Sequence, residues 1–115
     1  MPFLVDNLRT YKKALDFADR ITALTEAFPR GKYYLADQLN RAAVSIAANI
    51  AEGNGRYGGK DRRQFFVIAR ASAHECIPLL EITLRRGLID AETHAELSRQ
   101  LDVVSKMLFG IIDRR

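Results

Sequence analysis

Apolar side chains recur every three or four residues along most of the chain, which is the spacing of one face of an α-helix. The first such segment runs from about residue 7 to 28, where Pro29 and Gly31 interrupt it. A second segment follows at about 34–52 and ends at the glycine-rich stretch 53–59. This stretch is too rich in glycine to be helical, so it predicts the connection between two helical hairpins.

A third segment, at about 61–86, is apolar on more than one face, and a fourth spans about 90–113. Pro78 lies inside the third segment and removes one backbone hydrogen bond, so we expect a kink or a break into two shorter helices. Gly87 is placed to end the third helix, and Asp90 is placed to cap the fourth. Short connections predict antiparallel neighbours, and the fold class expected is an all-α, up-down four-helix bundle.

The composition agrees with one small globular unit. A length of 115 residues is that of a single domain with one hydrophobic core, so we expect residues 1–115 to form one bundle. Hydrophobic residues make up 48% of the chain and charged residues 28%, and no apolar run reaches the roughly 18 residues of a membrane span. Met1–Asp6 has neither a basic n-region nor a long apolar h-region, and we therefore expect a cytoplasmic protein without membrane association.

Patterns typical of catalysis or metal binding are missing from the sequence. The glycine spacing at 53–58 is similar to a dinucleotide fingerprint, but a helix precedes it where that fingerprint needs a strand. His74 and His94 stand in no metal-binding spacing, and the single Cys76 excludes a site built from several thiolates. We predict that the protein is not an enzyme and has no catalytic residue, metal ion or cofactor.

Positive charge is concentrated in the centre of the chain. The net charge is +4, from 18 Lys and Arg against 14 Asp and Glu. Residues 54–86 alone carry a net charge of +4, as large as that of the whole chain. Four of these cations lie in or just after the glycine-rich connection: Arg56, Lys60, Arg62 and Arg63. Long cationic side chains on a connection can follow a phosphate chain, which indicates RNA or DNA as a partner. The alternative is that these charges only solvate a loop.

Polar residues form a stripe beside the apolar face of the second helix, opposite a shorter stripe on the third. The residues are Arg41, Ser45, Asn49 and Glu52 on the second helix, with Ser72 and Glu75 on the third. Because buried polar groups need partners, we predict a hydrogen-bonded network that fixes the register of the two helices. A ligand or nucleic-acid pocket lined by the same groups, or a solvated face, would also fit. In a buried network, replacing Asn49 or Glu52 would cost roughly 1 to 3 kcal/mol.

The third helix carries a second apolar stripe, formed by Phe66, Ala73, Ile77, Leu80 and Leu84. A helix that is apolar over more than half of its circumference is usually buried on two sides. In a bundle of four helices the second side indicates another subunit, so the stripe predicts a homo-oligomer interface. A Phe66→Glu or Leu84→Glu change is then expected to weaken assembly more than folding.

The sequence around the polar stripe also resembles that of a known protein family. The two matching segments read Gln38-Leu39-x-Arg41-Ala42-Ala43-x-Ser45-Ile46-x-x-Asn49-Ile50-Ala51-Glu52-Gly53-x-x-Arg56 and Phe65-x-x-x-Ala69-x-x-Ser72-x-x-Glu75. They are similar to the bacterial four-helix-bundle proteins encoded in intervening sequences of 23S ribosomal RNA genes. The resemblance implies a pentamer of unknown biochemical role, related to the basic accessory protein of diversity-generating retroelements, which binds nucleic acid and a reverse transcriptase. It does not imply a component of the ribosome.

Two functions fit these features. The first is a non-catalytic homo-oligomeric accessory protein that binds RNA or DNA through a basic rim. The alternative is a protein–protein assembly scaffold without nucleic-acid binding, which would explain the excess apolar surface of the third helix equally well.

Overall fold

The computed structural model describes the backbone of residues 2–113 and the side chains of residues 6–113, and this part of the chain forms four α-helices. They are α1 (Pro2–Thr25), α2 (Tyr33–Asn54), α3 (Gly59–Arg85) and α4 (Ala91–Asp113). Each helix packs against the next, and α4 closes the cycle against α1. The resulting bundle measures 45 × 22 × 19 Å. The predicted all-α four-helix bundle is confirmed.

The core is built from the periodic apolar positions of all four helices. Its largest fully buried apolar side chains are Phe17, Ile21, Leu39, Ile46, Ile50, Phe66, Leu80, Leu97, Val104 and Leu108. Full burial of one such side chain contributes roughly 1.5 to 3 kcal/mol to folding. Packing between helices therefore stabilises the fold more than the helix propensity of any segment does.

The boundaries of α1 differ from the predicted range of about 7–28. The helix begins at Pro2, because proline suits the first turn of a helix, and it ends at Thr25. Pro29 disfavours helical geometry in Phe28, whose N–H instead bonds the Thr25 carbonyl oxygen at 3.1 Å in a tighter turn. This turn still brings the Phe28 ring into the core.

The glycine-rich stretch 53–59 was expected to be entirely non-helical, and this prediction is wrong. Helix α2 continues through Gly53 to Asn54, and the connection to α3 comprises only residues 55–58. Gly53 stands inside the helix for a steric reason: a Cβ atom at this position would lie 2.7 Å from the ring of Phe66. Glycine is needed here for the close approach of two helices and not for a flexible connection.

Helix α3 passes through Pro78 without interruption, so the predicted alternative of two shorter helices is wrong. Pro78 is exposed, and a proline on the outer face of a helix leaves an unpaired carbonyl that solvent can reach. A kink at this residue stays a prediction.

The connection between α3 and α4 has the geometry expected from its sequence. Gly87 has a φ angle of +74°, and the N–H of Leu88 bonds the Thr83 carbonyl oxygen at 3.1 Å, which is a glycine-terminated helix end. Asp90 then caps α4, because its carboxylate accepts a 2.8 Å hydrogen bond from the N–H of Thr93.

Candidate nucleic-acid interface

The four cations predicted to bind nucleic acid lie at one end of the bundle, called here the basic end and defined by Arg56, Lys60, Arg62 and Arg63. Arg56 belongs to the α2–α3 connection, and the other three stand in the first turns of α3. The C-terminal turn of α4 lies beside them, because Arg63 donates from Nε to the carbonyl oxygen of Ile112 at 3.3 Å. The fold therefore brings the four residues together.

Arg56 is held by contacts within the subunit. Its guanidinium lies 2.9 Å from Glu52 Oε2 and 3.7 Å from Asp61 Oδ2, and it stacks 4.8 Å from the centre of the Phe65 ring. The two carboxylates offset part of the positive charge that the sequence places here. Exposed pairs of this kind contribute at most about 1 kcal/mol, so a phosphate group can compete for the guanidinium.

Arg62 serves mainly to brace the α2–α3 connection. Its Nη1 donates to the carbonyl oxygen of Arg56 at 3.1 Å, and its guanidinium carbon lies 5.9 Å from the centre of the Phe66 ring. The side chain is half-buried. Lys60 and Arg63, which are exposed, are therefore the cations of the basic end most accessible to a ligand.

Tyr57 is the aromatic residue of this end that faces solvent. It stands in the connection 55–58 and is fully exposed. Helix α3 starts after Gly58 without a side-chain cap, and Tyr57 lies between Arg56 and Lys60 along the chain. An exposed ring among cations can stack on one nucleic-acid base.

Only part of the predicted polar network lies between α2 and α3. The hydroxyl groups of Ser45 and Ser72 are 2.8 Å apart, and Asn49 donates from Nδ2 to the Ser45 carbonyl oxygen at 2.8 Å and to its hydroxyl at 3.1 Å. These three residues link the two helices through one hydroxyl contact. This contact can fix the register of α2 against α3.

The other three members of the predicted network lie on the surface. Arg41 pairs with Asp37 at 3.0 Å, and Glu52 pairs with Arg56, in both cases four residues apart on α2 or its continuation. Glu75 is exposed as well. The structure therefore does not bring Arg41, Glu52 and Glu75 into the buried network, and the cost predicted for replacing a buried Glu52 does not apply.

The predicted oligomer interface is wrong for most of its residues. Phe66, Ala73 and Leu80 are at most 2% exposed and belong to the core of the subunit itself, while Leu84 is half-buried. Helix α3 contacts both α2 and α4, which accounts for its two apolar stripes without a second subunit. Of the predicted set, only Ile77 is exposed, at 55%.

Two features were missed at the sequence level because each joins different helices. On the α1–α2 side, Asn40 donates to Thr25 Oγ1 at 2.8 Å and accepts a hydrogen bond from Thr22 Oγ1 at 3.2 Å. Between α3 and α4, a groove of about 600 Å³ has Arg70 and Phe109 among its lining residues. No spacing along a single helix indicates either feature. The one available signal was the position of Asn40 directly after Leu39, on the apolar side of the second helix.

Cys76 is a core residue. Burial, together with the negative charge of Glu75, raises the pKa of its thiol to about 12, so the thiolate that would react is scarcely formed at neutral pH. Among residues 6–113, no three His, Cys, Asp or Glu side chains are grouped to hold a metal ion. No helix in the described part of the chain is long and apolar enough to cross a membrane.

The protein is a small four-helix bundle with cyclic helix packing and with cations gathered at one end. This is the class of protein that the motif on α2 and α3 indicated. The chain belongs to the family described as 23S rRNA-intervening sequence protein, whose profile matches residues 6–110. The predicted family resemblance is confirmed.

A solved structure similar to this chain is that of a protein of unknown function from the S23 ribosomal protein family of Bacteroides thetaiotaomicron VPI-5482. The two share 26% sequence identity at a TM-score of 0.89, over 95% of this chain and 99% of that one. No curated protein sequence matches this chain significantly. These comparisons fix family and fold and name no biochemical activity.

Proposed function

We propose that this protein is a non-catalytic, cytoplasmic homo-oligomer that binds RNA or DNA through the basic end of the bundle. The observation that carries this proposal is the clustering of Arg56, Lys60, Arg62 and Arg63 at one end, next to the exposed ring of Tyr57. The family description mentions 23S rRNA but names no ligand, so the chemistry of the basic end is the main support.

The proposed interaction is chiefly electrostatic. Lys60 and Arg63 contact phosphate groups directly, and Arg56 can exchange its exposed carboxylate partners for a phosphate oxygen. Tyr57 adds one stacking contact, worth roughly 1 to 3 kcal/mol. Phosphate contacts position a nucleic acid but carry no sequence information, so sequence preference should be weak.

Oligomerisation would strengthen such an interaction. The number of five subunits rests on the family resemblance, and association is supported by apolar side chains that a single subunit leaves exposed, including Ile68 and Ile82 of α3. In a ring of identical subunits the basic ends repeat around one rim, which turns a weak contact into a multivalent one. Sedimentation equilibrium that shows a monomer at micromolar concentration would contradict this part of the proposal.

The test compares two double variants that remove the same charge from opposite ends of the bundle. Lys60→Gln with Arg63→Gln removes two cations from the basic end. Arg30→Gln with Arg86→Gln removes two exposed cations from the other end, at the α1–α2 and α3–α4 connections. Affinity for fluorescently labelled single-stranded RNA and DNA is measured by anisotropy over a range of salt concentrations. Circular dichroism melts establish that both variants fold.

The basic-end variant should bind more weakly and with a flatter salt dependence. Each lost phosphate contact lowers the log-log slope of affinity against salt by about 0.7 to 0.9. The variant with changes at Arg30 and Arg86 should keep the original slope. Equal effects of the two variants, or no binding of either nucleic acid at low salt, would contradict the proposal.

A protein-assembly scaffold is the second candidate, and one observation favours it. Ile77 and Phe109 are each 55% exposed although they stand on neighbouring helices, so an apolar patch faces solvent on the α3–α4 side. Patches of this kind often mark protein contacts. If the salt titration shows no nucleic-acid binding while the protein still assembles, the scaffold becomes the better explanation.

A further inference from the structure

Helices α3 and α4 pack less closely than α2 and α3, and a groove of about 600 Å³ opens between them. Its floor includes the buried side chains of Ala73 and Leu101, and the exposed side chains of Ile77 and Phe109 form apolar walls. Sites for small molecules have volumes of roughly 300 to 1,000 Å³ and a mainly apolar lining with a few polar groups. The groove matches that volume, and its lining combines apolar side chains with the charged Arg70, Glu81, Asp102 and Lys106.

Arg70 is the unusual polar residue of this groove. It is half-buried, and its Nε atom has neither solvent contact nor a hydrogen-bond partner among the described residues. Its guanidinium is held by the Phe109 ring, 5.1 Å from the guanidinium carbon to the ring centre. The other half-buried arginines of residues 6–113, Arg20 and Arg62, both donate to oxygen atoms, at 2.9 and 3.1 Å.

Among residues 6–113, no carboxylate forms an ion pair with Arg70. The two carboxylates that line the groove already have cations beside them, with Asp102 at 3.0 Å from Lys106 and Glu81 at 3.3 Å from Arg85. A half-buried positive charge without an opposite charge is costly, and an anion bound beside the guanidinium would offset that charge. The groove therefore favours an anionic ligand at the Arg70 end.

We propose that the α3–α4 groove binds a small organic carboxylate with an apolar body. The carboxylate accepts hydrogen bonds from the guanidinium of Arg70, and the body lies along Ala73, Ile77 and Leu101. Arg70 and Ile77 are seven residues apart on α3, which corresponds to about 10 Å along the helix axis. A chain of eight carbon atoms has a similar length, so octanoate is a suitable probe.

The test is a titration of the isotope-labelled protein with sodium octanoate, followed by nuclear magnetic resonance. We expect saturable shifts at the Arg70 Nε–H signal and at the amides of Ala73 and Leu101. Arg70→Gln should weaken octanoate binding about tenfold, the loss expected for a hydrogen bond to a charged group. Arg70→Lys should retain part of the affinity. The matched control is Arg99→Gln, which removes an exposed arginine of α4 and should change nothing.

Two further probes separate recognition of charge from simple apolar adsorption. Octanol and octylammonium have the same chain, and both should bind much more weakly than octanoate. Equal binding of all three probes, an equal loss in Arg99→Gln, or shifts that map outside the groove would overturn the proposal. Sedimentation of Arg70→Gln is a further measurement. If this variant fails to assemble and the original protein shows no saturable octanoate shift, a second copy of the chain occupies the groove instead.

Discussion

Helix α3 packs against α2 on one side and against α4 on the other, and the two contacts are made differently. Against α2, Gly53 lets the Phe66 ring approach the backbone, and Ser45 and Ser72 share a hydrogen bond. Against α4, the surfaces separate into a groove of about 600 Å³ lined by Phe109 and by charged side chains. Both sides of α3 are apolar in sequence, so the size of the opposing residue determines how close the helices come.

The connection between α3 and α4 is fixed more strongly by its own residues than the connection between α2 and α3, although the α3–α4 interface is the looser one. The α3–α4 connection is fixed by Gly87 in the left-handed region and by the Asp90 cap on α4. The α2–α3 connection ends at Gly58, which provides no side-chain cap. The α3–α4 connection is thus fixed by its own backbone and cap, whereas the α2–α3 connection is braced by the side chain of Arg62.

The largest expected effect comes from two phenylalanines on the two sides of α3. Phe66→Ala should lower the free energy of unfolding by about 3 to 5 kcal/mol, because it leaves a cavity between α2 and α3. Phe109→Ala should cost only about 1 kcal/mol, since this ring is 55% exposed and mainly loses its contact with Arg70. Urea unfolding of both variants measures the difference.

The same pair of variants also tests whether Phe66 serves assembly. Phe66→Ala should affect folding first, and any change in oligomeric state should follow from unfolding. Similar costs at Phe66 and Phe109 would show that the two sides of α3 are packed equally well, against the comparison drawn above.

Two helical glycines should respond with opposite sign to the same substitution. Gly53→Ala should destabilise the protein by about 1 to 2 kcal/mol, because the new methyl group meets the buried ring of Phe66 and the strain exceeds the gain in helix propensity. Gly110→Ala should stabilise it by up to about 1 kcal/mol, since no atom in the described part of the chain lies within 4 Å of the new Cβ. Thermal and urea unfolding report both values.

A double-mutant cycle locates the strain. Phe66→Leu provides room beside residue 53, so Gly53→Ala should cost less in that background than in the original protein. An unchanged cost would mean that the loss arises from something other than the contact between Gly53 and the ring.

Two serines test the polar contact in the same way. Ser72→Ala should cost about 1 kcal/mol, because it removes the partner of Ser45 at a buried position. Ser105→Ala, on the groove side of α4, should be nearly neutral because its hydroxyl makes no hydrogen bond within the described part of the chain. Equal melting temperatures for the two variants would show that the contact between α2 and α3 contributes little to stability.

The fold could be predicted from the sequence because each helix carries its own periodic stripe and its own end signals. Gly87 and Asp90 act through neighbouring residues, and their roles follow from local rules. The role of Gly53 could not be read locally, because a ring thirteen positions later in the chain, that of Phe66, decides it. The sequence pattern could not distinguish a glycine that breaks a helix from one that permits a close contact.

The candidate sites were predicted less completely, for a related reason. The four cations of the basic end are close in sequence and are therefore close in space, whereas their ion pairs with Glu52 and Asp61 depend on the fold. Most of the α3 stripe assigned to another subunit lies in the core of its own subunit, which periodicity alone does not show. Arg70 and Phe109 meet only after α3 and α4 have packed.

The smallest expected effect concerns the α3–α4 connection and depends on pH. Hydrogen bonds from the side chain and the N–H of Thr93 hold the pKa of Asp90 below its ordinary value of 3.8. A carboxyl group with a lowered pKa stabilises the folded state above its unfolded pKa, and this contribution is lost as pH falls through the folded pKa. Asp90→Ala should therefore lower the melting temperature slightly at neutral pH, with a difference that shrinks below pH 3.8. Asp90→Asn keeps a capping oxygen without the titration, so its smaller deficit should shrink in the same acid range as the reference protein loses its charge. Circular dichroism melts across this range measure both, and a deficit of Asp90→Ala that is constant with pH would contradict a charged cap.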